Sequence, residues 1–516
     1  MSWQTAWATR KRADSNVSPW RLDAGRADGK DETVKRTKVH LIKRMLGTGI
    51  ALTLAMGMTV GLSGCGGASD GDVVVLRVAN WEEYIDEGDW DEEDGIEFSD
   101  GTILCPESSL VEDFETWYYE TYGQKVKVEY STFGTNEELY NQITIGDVYD
   151  LVCPSEYMIM KMLREGMLEP YSEGFHDKEK EENYYENGVS PFIAQVYDGL
   201  AIDGHKLNEY AAGYMWGTLG IVYNPEEVTE EQASSWKILM DKSLDKRITI
   251  KDSVRDAFFA AVSIQYYDEI TAQDFLEKEN YSDALYACLN RTDQETVDAT
   301  EEILSAIKRN VYSFETDSGK ADMVTGKVVA NQQWSGDAVY TMDQAEEDEV
   351  ELCYAVPTES TNLWFDGWVM LKKGISEDSR KQQAAEAFVN FVSMPENAVR
   401  NMTYIGYTSV ISGGDSDVIL EFVEDTYGAD PEEEDPEDLV EYDVTYFFGE
   451  DKEAVILTTE DQTRRQLYAQ YPSQDVVDRS AVMACFDNDG NERINRMWTN
   501  VRCFDLQNWL HETFDK

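Results

Sequence analysis

Four short segments of this sequence each set an aromatic ring beside an acidic or hydrogen-bonding side chain: Asn80-Trp81-Glu82-Glu83-Tyr84, Pro154-Ser155-Glu156-Tyr157, Trp334-Ser335-Gly336-Asp337 and Trp364-Phe365-Asp366. Each closes a segment that reads as a β-strand. In open α/β sheets the crevice beyond the carboxyl ends of strands is where ligands sit, so four such ends point to one binding site. A single aromatic at a strand end is ordinary core, and the repetition carries the argument. Other chemistry is poorly served. The four histidines, His40, His176, His205 and His511, lie outside these segments, which suggests neither a histidine triad nor a histidine metal cluster. Asp487-Asn488-Asp489-Gly490 lacks the spacing of a calcium loop, because its glycine comes too early, and reads as a turn. No phosphate-binding or dinucleotide glycine pattern occurs, so neither a metal nor a cofactor is expected.

The elements that must hold these segments follow from periodicity. Residues 73–78 are a first strand, and the Ser109-x-x-Glu112 capping box starts a helix that Gly123 stops. Val126, Val128 and Tyr130 alternate as a strand. A helix over 136–145, a strand over 149–153 and a helix over 157–165 follow, the last ending at Gly166. The alternation resumes with strand 247–250, helix 255–266 and strand 328–333. It predicts an α/β fold with a mostly parallel sheet. Residues 214–224 form a long β-prone run with Gly217 and Gly220 inside it, suited to a crossover between two lobes. Acidic stretches at 86–100 and 430–443 lack apolar periodicity and read as surface loops.

The chain has 516 residues, 42% of them hydrophobic and 12% aromatic, enough for two or three domains with real cores. Near its start, Lys43 and Arg44 head an uncharged apolar run over 45–62 that ends in Leu62-Ser63-Gly64-Cys65. A basic start, a short apolar core and small residues before a cysteine are the parts of an export signal, and they resemble the bacterial lipobox with Cys65 as the lipidated residue. The polar stretch over 1–40 is expected to reflect a start site placed too far upstream. Residues 65–72 read as a flexible tether. The first 64 residues carry 11 Lys/Arg against 5 Asp/Glu, so a whole-chain charge of −58 becomes −64 beyond them. Nucleic acid and direct contact with anionic membrane are thereby disfavoured, and approach of a cationic ligand is favoured at low salt. The remaining six cysteines show no paired spacing and read as packing residues.

The segments resemble the spermidine/putrescine-binding proteins of polyamine ABC transporters, extracellular solute-binding proteins of the two-lobed type II periplasmic-binding fold. The resemblance runs over residues 73–499. It rests on Asn80-Trp81-x-x-Tyr84, Tyr149-Asp150-Leu151-Val152-x-Pro154-Ser155-x-Tyr157, Trp216-Gly217-x-x-Gly220-Ile221-x-Tyr223-Asn224, Asp252-Ser253-x-Arg255-Asp256, Trp334-Ser335-Gly336-Asp337 and Ile405-Gly406-Tyr407. It implies an aromatic box of Trp81, Tyr84, Tyr157, Trp334, Trp364 and Tyr407 around a methylene chain. Asp256, Asp337 and Asp366 would hold ammonium groups, with Ser155 as an added acceptor and Glu82 as a further candidate. The physics agrees: rings stack on the stem and attract cations, and buried carboxylates set the spacing of the charges. The implied lobes are 73–215 with 367–410 and 216–366 with 411–516, and the implied partners are a polyamine, a transporter permease and, through the lipid anchor, the outer face of the cell membrane, with the receptor a monomer and not an enzyme.

Departures from the pattern keep the cargo open between putrescine and spermidine. Ser253 stands where spermidine binders often have a carboxylate, Glu82 replaces a small hydroxyl residue, and Asp337 matches putrescine-binding relatives. Two other readings stand beside this one. The same fold could carry a sugar, metal ion or amino acid, although among these motifs only Arg255 could meet an amino acid's carboxylate. A surface hydrolase with paired carboxylates could also draw on the 102 acidic residues.

Overall fold

The computed structural model describes residues 73–91, 95–99, 101–429, 434 and 438–503. Cys65, the apolar run before it and the tether lie outside them, as do His40 and His511. The central sheet is built on β1 (Val73–Trp81), β2 (Lys125–Phe133), β3 (Leu151–Val152), β4 (Ala211–Tyr223), β5 (Ile248–Lys251), β6 (Ser313–Glu315), β7 (Ala330–Trp334) and β8 (Thr361–Leu371), in spatial order β6-β5-β7-β4-β8-β3-β1-β2. The flanks are parallel: β1 pairs with β2 and β3, and β5 with β6 and β7. At the centre β4 and β8 run antiparallel to each other and to the strands beside them. A mixed, mostly parallel α/β architecture is what the alternating elements predict.

Two main cores flank the centre. The first gathers Val74, Leu76 and Val78 of β1 with Phe114, Trp216, Trp368 and Phe388. The second gathers Ile248 and Ile250 of β5 with Trp236, Phe258, Phe259 and Leu304. Strand β4, buried along its whole length, leaves the first core after Trp216 and enters the second at Leu219. It thus links two separately packed bodies, as its glycine-interrupted, β-prone sequence suggests.

The helices start and stop where their caps dictate. Helix α1 (Leu110–Tyr122) begins in the Ser109/Glu112 capping box and ends at Gly123 in the left-handed region, and α2 (Asn136–Ile145) matches its predicted bounds. Helices α3 (Glu156–Arg164) and α4 (Val254–Gln265) each begin one residue before their predicted start. The Ser253 hydroxyl accepts the Asp256 N–H at 3.4 Å and caps α4. Ser253→Ala is expected to lower the unfolding free energy by about 1 kcal/mol, read from urea melts, and an unchanged midpoint would refute the cap's role.

Three expectations need correction. Asp86, in the first acidic stretch, is fully buried against Arg400, and Ile96–Glu97 pairs with Ile103–Leu104. In the second stretch Leu439–Asp443 is a strand paired with Val455–Thr459. Local polarity hid both, because a single buried ion pair or a hairpin with one covered face leaves no long apolar period. The sequence also assigns 411–516 to the second lobe, yet Ile419, Val423, Phe447, Ile456 and Tyr471 pack in the first core, while Met483, Ile494 and Met497 pack in the second. Leu363, Trp364 and Phe365 likewise belong to the first core. Of the cysteines, Cys153, Cys288 and Cys353 are buried as expected of packing residues, but Cys503 is exposed; all six are free thiols. Asp487 caps the helix Asn488–Arg502 by accepting the Gly490 N–H at 2.6 Å.

Candidate functional site

The predicted residues sit where strands of both bodies end. Trp81 closes β1, Ser155 is the N-cap of α3, and Asp256 lies in the first turn of α4. Trp334 closes β7 and is the N-cap of α5 (Ser335–Glu347), whose first turn carries Asp337. Asp366 occupies a register shift of β8 between Phe365 and Gly367. That bulge re-aims the side chain and lets Asp366 bridge to Ser155. Tyr407 follows Gly406, the left-handed C-cap of α6 (Pro395–Ile405).

Most of these side chains form one connected network. The Tyr84 hydroxyl donates to Asp366 at 2.9 Å, and its ring meets that of Tyr407 edge-on at 5.0 Å between centroids. Tyr407 donates to Asp337 at 2.9 Å and packs on Trp364 at 5.7 Å. On the other side the Trp334 indole N–H points at Asp256, 3.4 Å away. Asn136 ties in the rest by donating to the hydroxyls of Ser155 and Tyr157 at 3.1 and 3.0 Å. Two glycines make these approaches possible. A Cβ on Gly336 would stand 2.3 Å from the Tyr407 ring, and one on Gly217 would stand 2.7 Å from the Trp364 indole.

Two predicted residues stand apart. Trp81 is half-buried against Phe133 at 4.9 Å, and its indole nitrogen has no hydrogen-bond partner among the described residues. Glu82 is exposed. A surface depression of about 680 Å³ beside Lys178, Glu186 and Gly413 contains none of the predicted residues.

Electrostatics separates the acids. Burial pushes the Asp366 carboxyl up to about 7, against the opposing hydrogen bonds of Ser155 and Tyr84. Burial, with Asp366 nearby, pushes Glu156 up to about 8. Asp256 is raised by burial as well. At Asp337 burial acts upward, but the charges of Lys251 and Lys320 and hydrogen bonds from Lys251 and Tyr407 overcome it and hold the carboxyl below the usual range. The hydroxyls of Tyr84, Tyr157 and Tyr407 are raised by burial and stay neutral donors.

Four participants were not anticipated. Glu156 lies between the two recognised members of its motif; its Oε2 accepts the Phe365 N–H at 3.4 Å, and its Oε1 has no partner among the described residues. Lys251 pairs with Asp337 at 2.7 Å, and Lys320 approaches the same carboxylate at 3.6 Å. A charged residue ending the apolar strand Ile248–Lys251 was the available signal for Lys251. Asn136 had none beyond heading a helix. Arg255 lies over the rings of Tyr157 and Phe486 at 4.3 and 4.0 Å and donates to the Ala484 carbonyl at 2.7 Å, which commits its guanidinium to packing.

Among known proteins, the chain is 26% identical over 356 residues to the spermidine/putrescine-binding periplasmic protein of Salmonella typhimurium, covering 69% of this chain and 80% of that one. It is 26% identical over 370 residues to the putrescine-binding periplasmic protein SpuD of Pseudomonas aeruginosa, covering 69% and 82%. Among solved structures, the spermidine/putrescine ABC transporter substrate-binding protein PotD of Streptococcus pneumoniae superposes with a TM-score of 0.52 at 25% identity, over 83% of this chain and 98% of that one. A Listeria monocytogenes protein described as a spermidine/putrescine ABC transporter shares the fold, with a TM-score of 0.55 at 22% identity over 84% and 99%. The profile described as bacterial extracellular solute-binding protein matches residues 109–419, more than half of the sequence, and with strand-end chemistry on a two-bodied α/β frame the chain belongs to that family.

Proposed function

We propose that this protein is an extracytoplasmic receptor that captures a polyamine, putrescine or spermidine, between its two lobes and delivers it to the permease of an ABC transporter. The observation that carries the reading is the connected run Asp366, Tyr84, Tyr407 and Asp337, in which two rings in edge-on contact stand between two acids, with a further acid, Asp256, at the Trp334 indole. Acids separated by ring faces suit a ligand whose ammonium groups are separated by methylenes. The relatives named above, two of them polyamine-binding by name, support the same cargo.

Closure would bend β4 near Trp216 and β8 near Asp366, and the bound ligand would bridge the two bodies. Loaded and empty receptors then differ in shape, which a permease can read. Cys65 would carry the lipid that holds a monomeric receptor at the outer face of the membrane. Among the described residues no helix is long and apolar enough to cross a membrane. The direct test is isothermal titration of the full chain with putrescine, spermidine and spermine, with maltose and glutamate as controls. One-to-one binding of polyamine alone is expected; a folded chain that ignores polyamines refutes the reading.

The raised acids add a pH signature. Near neutrality Asp366 and Glu156 are partly protonated, and an incoming ammonium favours their ionised forms, so binding releases protons. Affinity should rise with pH by up to roughly tenfold per pH unit for each proton released. Putrescine is expected to bind at least about tenfold more tightly at pH 8.5 than at pH 6. Ligand-free stability runs the other way. A carboxyl raised in the folded state favours folding most below its unfolded pKa, and that contribution is lost as pH rises through 7 to 8. Flat affinity across the range would exclude these acids from contact with the ligand.

A further inference from the structure

We propose that Lys251 is a resident cation that fills the ammonium position at Asp337, so that the cleft takes a diamine and turns away the extra ammonium of a triamine. The inference rests on the polyamine reading and narrows it. Lys251 ends β5, and its side chain is buried to within 1%. Its ammonium makes three contacts: Asp337 Oδ2 at 2.7 Å, the Thr316 carbonyl at 2.7 Å and the Trp334 ring, whose centroid is 4.4 Å away. A carboxylate, a carbonyl and an aromatic face are the surroundings that a ligand ammonium would seek. Here a residue of the chain already has them.

The other oxygen of Asp337 is engaged as well. It accepts from the Tyr407 hydroxyl at 2.9 Å and faces the Lys320 ammonium at 3.6 Å. Lys320 also faces Asp317 at 3.7 Å, so the charges at this end are balanced within the chain, and both oxygens of Asp337 are engaged with none left for a ligand ammonium. Asp256 at the Trp334 indole, and Asp366 with Glu156 beside it, remain as the two acidic positions available to a ligand, which matches a dication. Asp337 then acts through Lys251 and Tyr407 and does not hold the ligand itself.

The experiment measures putrescine and spermidine affinities of the full chain by isothermal titration at pH 8. In Lys251→Met the position is vacated while Asp337 keeps Lys320 and Tyr407. The affinity ratio of spermidine to putrescine is expected to rise at least tenfold, and a smaller rise in the folded variant overturns the proposal. Should Lys251→Met fail to fold, Lys251→Met/Asp337→Asn decides, because removing both members of a buried ion pair is better tolerated than removing one. The double variant is expected to keep putrescine affinity within fivefold of the unchanged protein and to gain nothing for spermidine. A larger loss would make Asp337 a direct ligand contact and overturn the proposal. Failure of the polyamine reading is distinguishable, since the unchanged chain would then bind neither amine.

Discussion

Asp366→Asn is expected to weaken putrescine binding about a hundredfold, or roughly 2.7 kcal/mol, while leaving the ligand-free chain at least as stable at pH 8. The carboxylate lies on a bulge of β8, is 6% exposed and accepts the Tyr84 hydroxyl. Burial raises its pKa to about 7, so at pH 8 the empty site holds an ionised group that its surroundings disfavour. Asparagine keeps the shape and can still accept from Tyr84, but it offers no charge to an ammonium. The lost charge-assisted hydrogen bond is of the order of 1.5–3 kcal/mol. Removing an unfavourable buried charge acts in the opposite direction on folding. Titration and thermal melts on the same sample test both halves. Unchanged affinity in a folded variant removes Asp366 from the site, and a large fall in stability assigns it a structural role instead.

Arg400→Met is expected to cost about 3–5 kcal/mol of unfolding free energy, read from urea denaturation. Arg400 is 3% exposed on α6 and forms ion pairs with Asp86 and, at 2.6 Å, with Asp113, while donating to the Ser108 carbonyl. Asp86 is fully buried and also accepts the Gly88 N–H at 3.0 Å and the Trp90 indole N–H at 2.9 Å. Without the guanidinium its charge would face an uncompensated interior. The consequence reaches the site, because Asp86 stands two residues after Tyr84. The same loop is tied from the other side by Asn80 and Tyr214, which donate to the Tyr84 carbonyl at 3.2 and 2.7 Å. A loss below about 1 kcal/mol would mean that the loop's other hydrogen bonds hold it without Arg400.

Much of the site was legible because its parts are local. Ser109 with Glu112, and Gly123, announce helix ends through residues a few positions apart, and each is found at a helix end. Tyr84, Trp334, Asp337 and Asp366 were readable as strand-end pairs of ring and polar group, Asp256 and Tyr407 came only from the family resemblance, and their contacts join them. Glu82 followed the same pattern and is exposed, since pattern alone does not say which way a loop side chain turns. The helix and hairpin over 418–459 were misassigned because an apolar stripe shows that a face will be buried and not which core will bury it.

Sequence by itself determined the α/β alternation, the glycine-interrupted strand between two bodies and the residue types at the strand ends. Those follow from periods of two to four residues and from backbone preferences that act at short range. Tertiary structure alone decided which charges meet. Lys251 finds Asp337 across 86 positions, Tyr84 finds Asp366 across 282, and Arg400 finds Asp86 across 314. Electrostatic partnership depends on distance and burial in space, and neither is encoded in any local period of the chain.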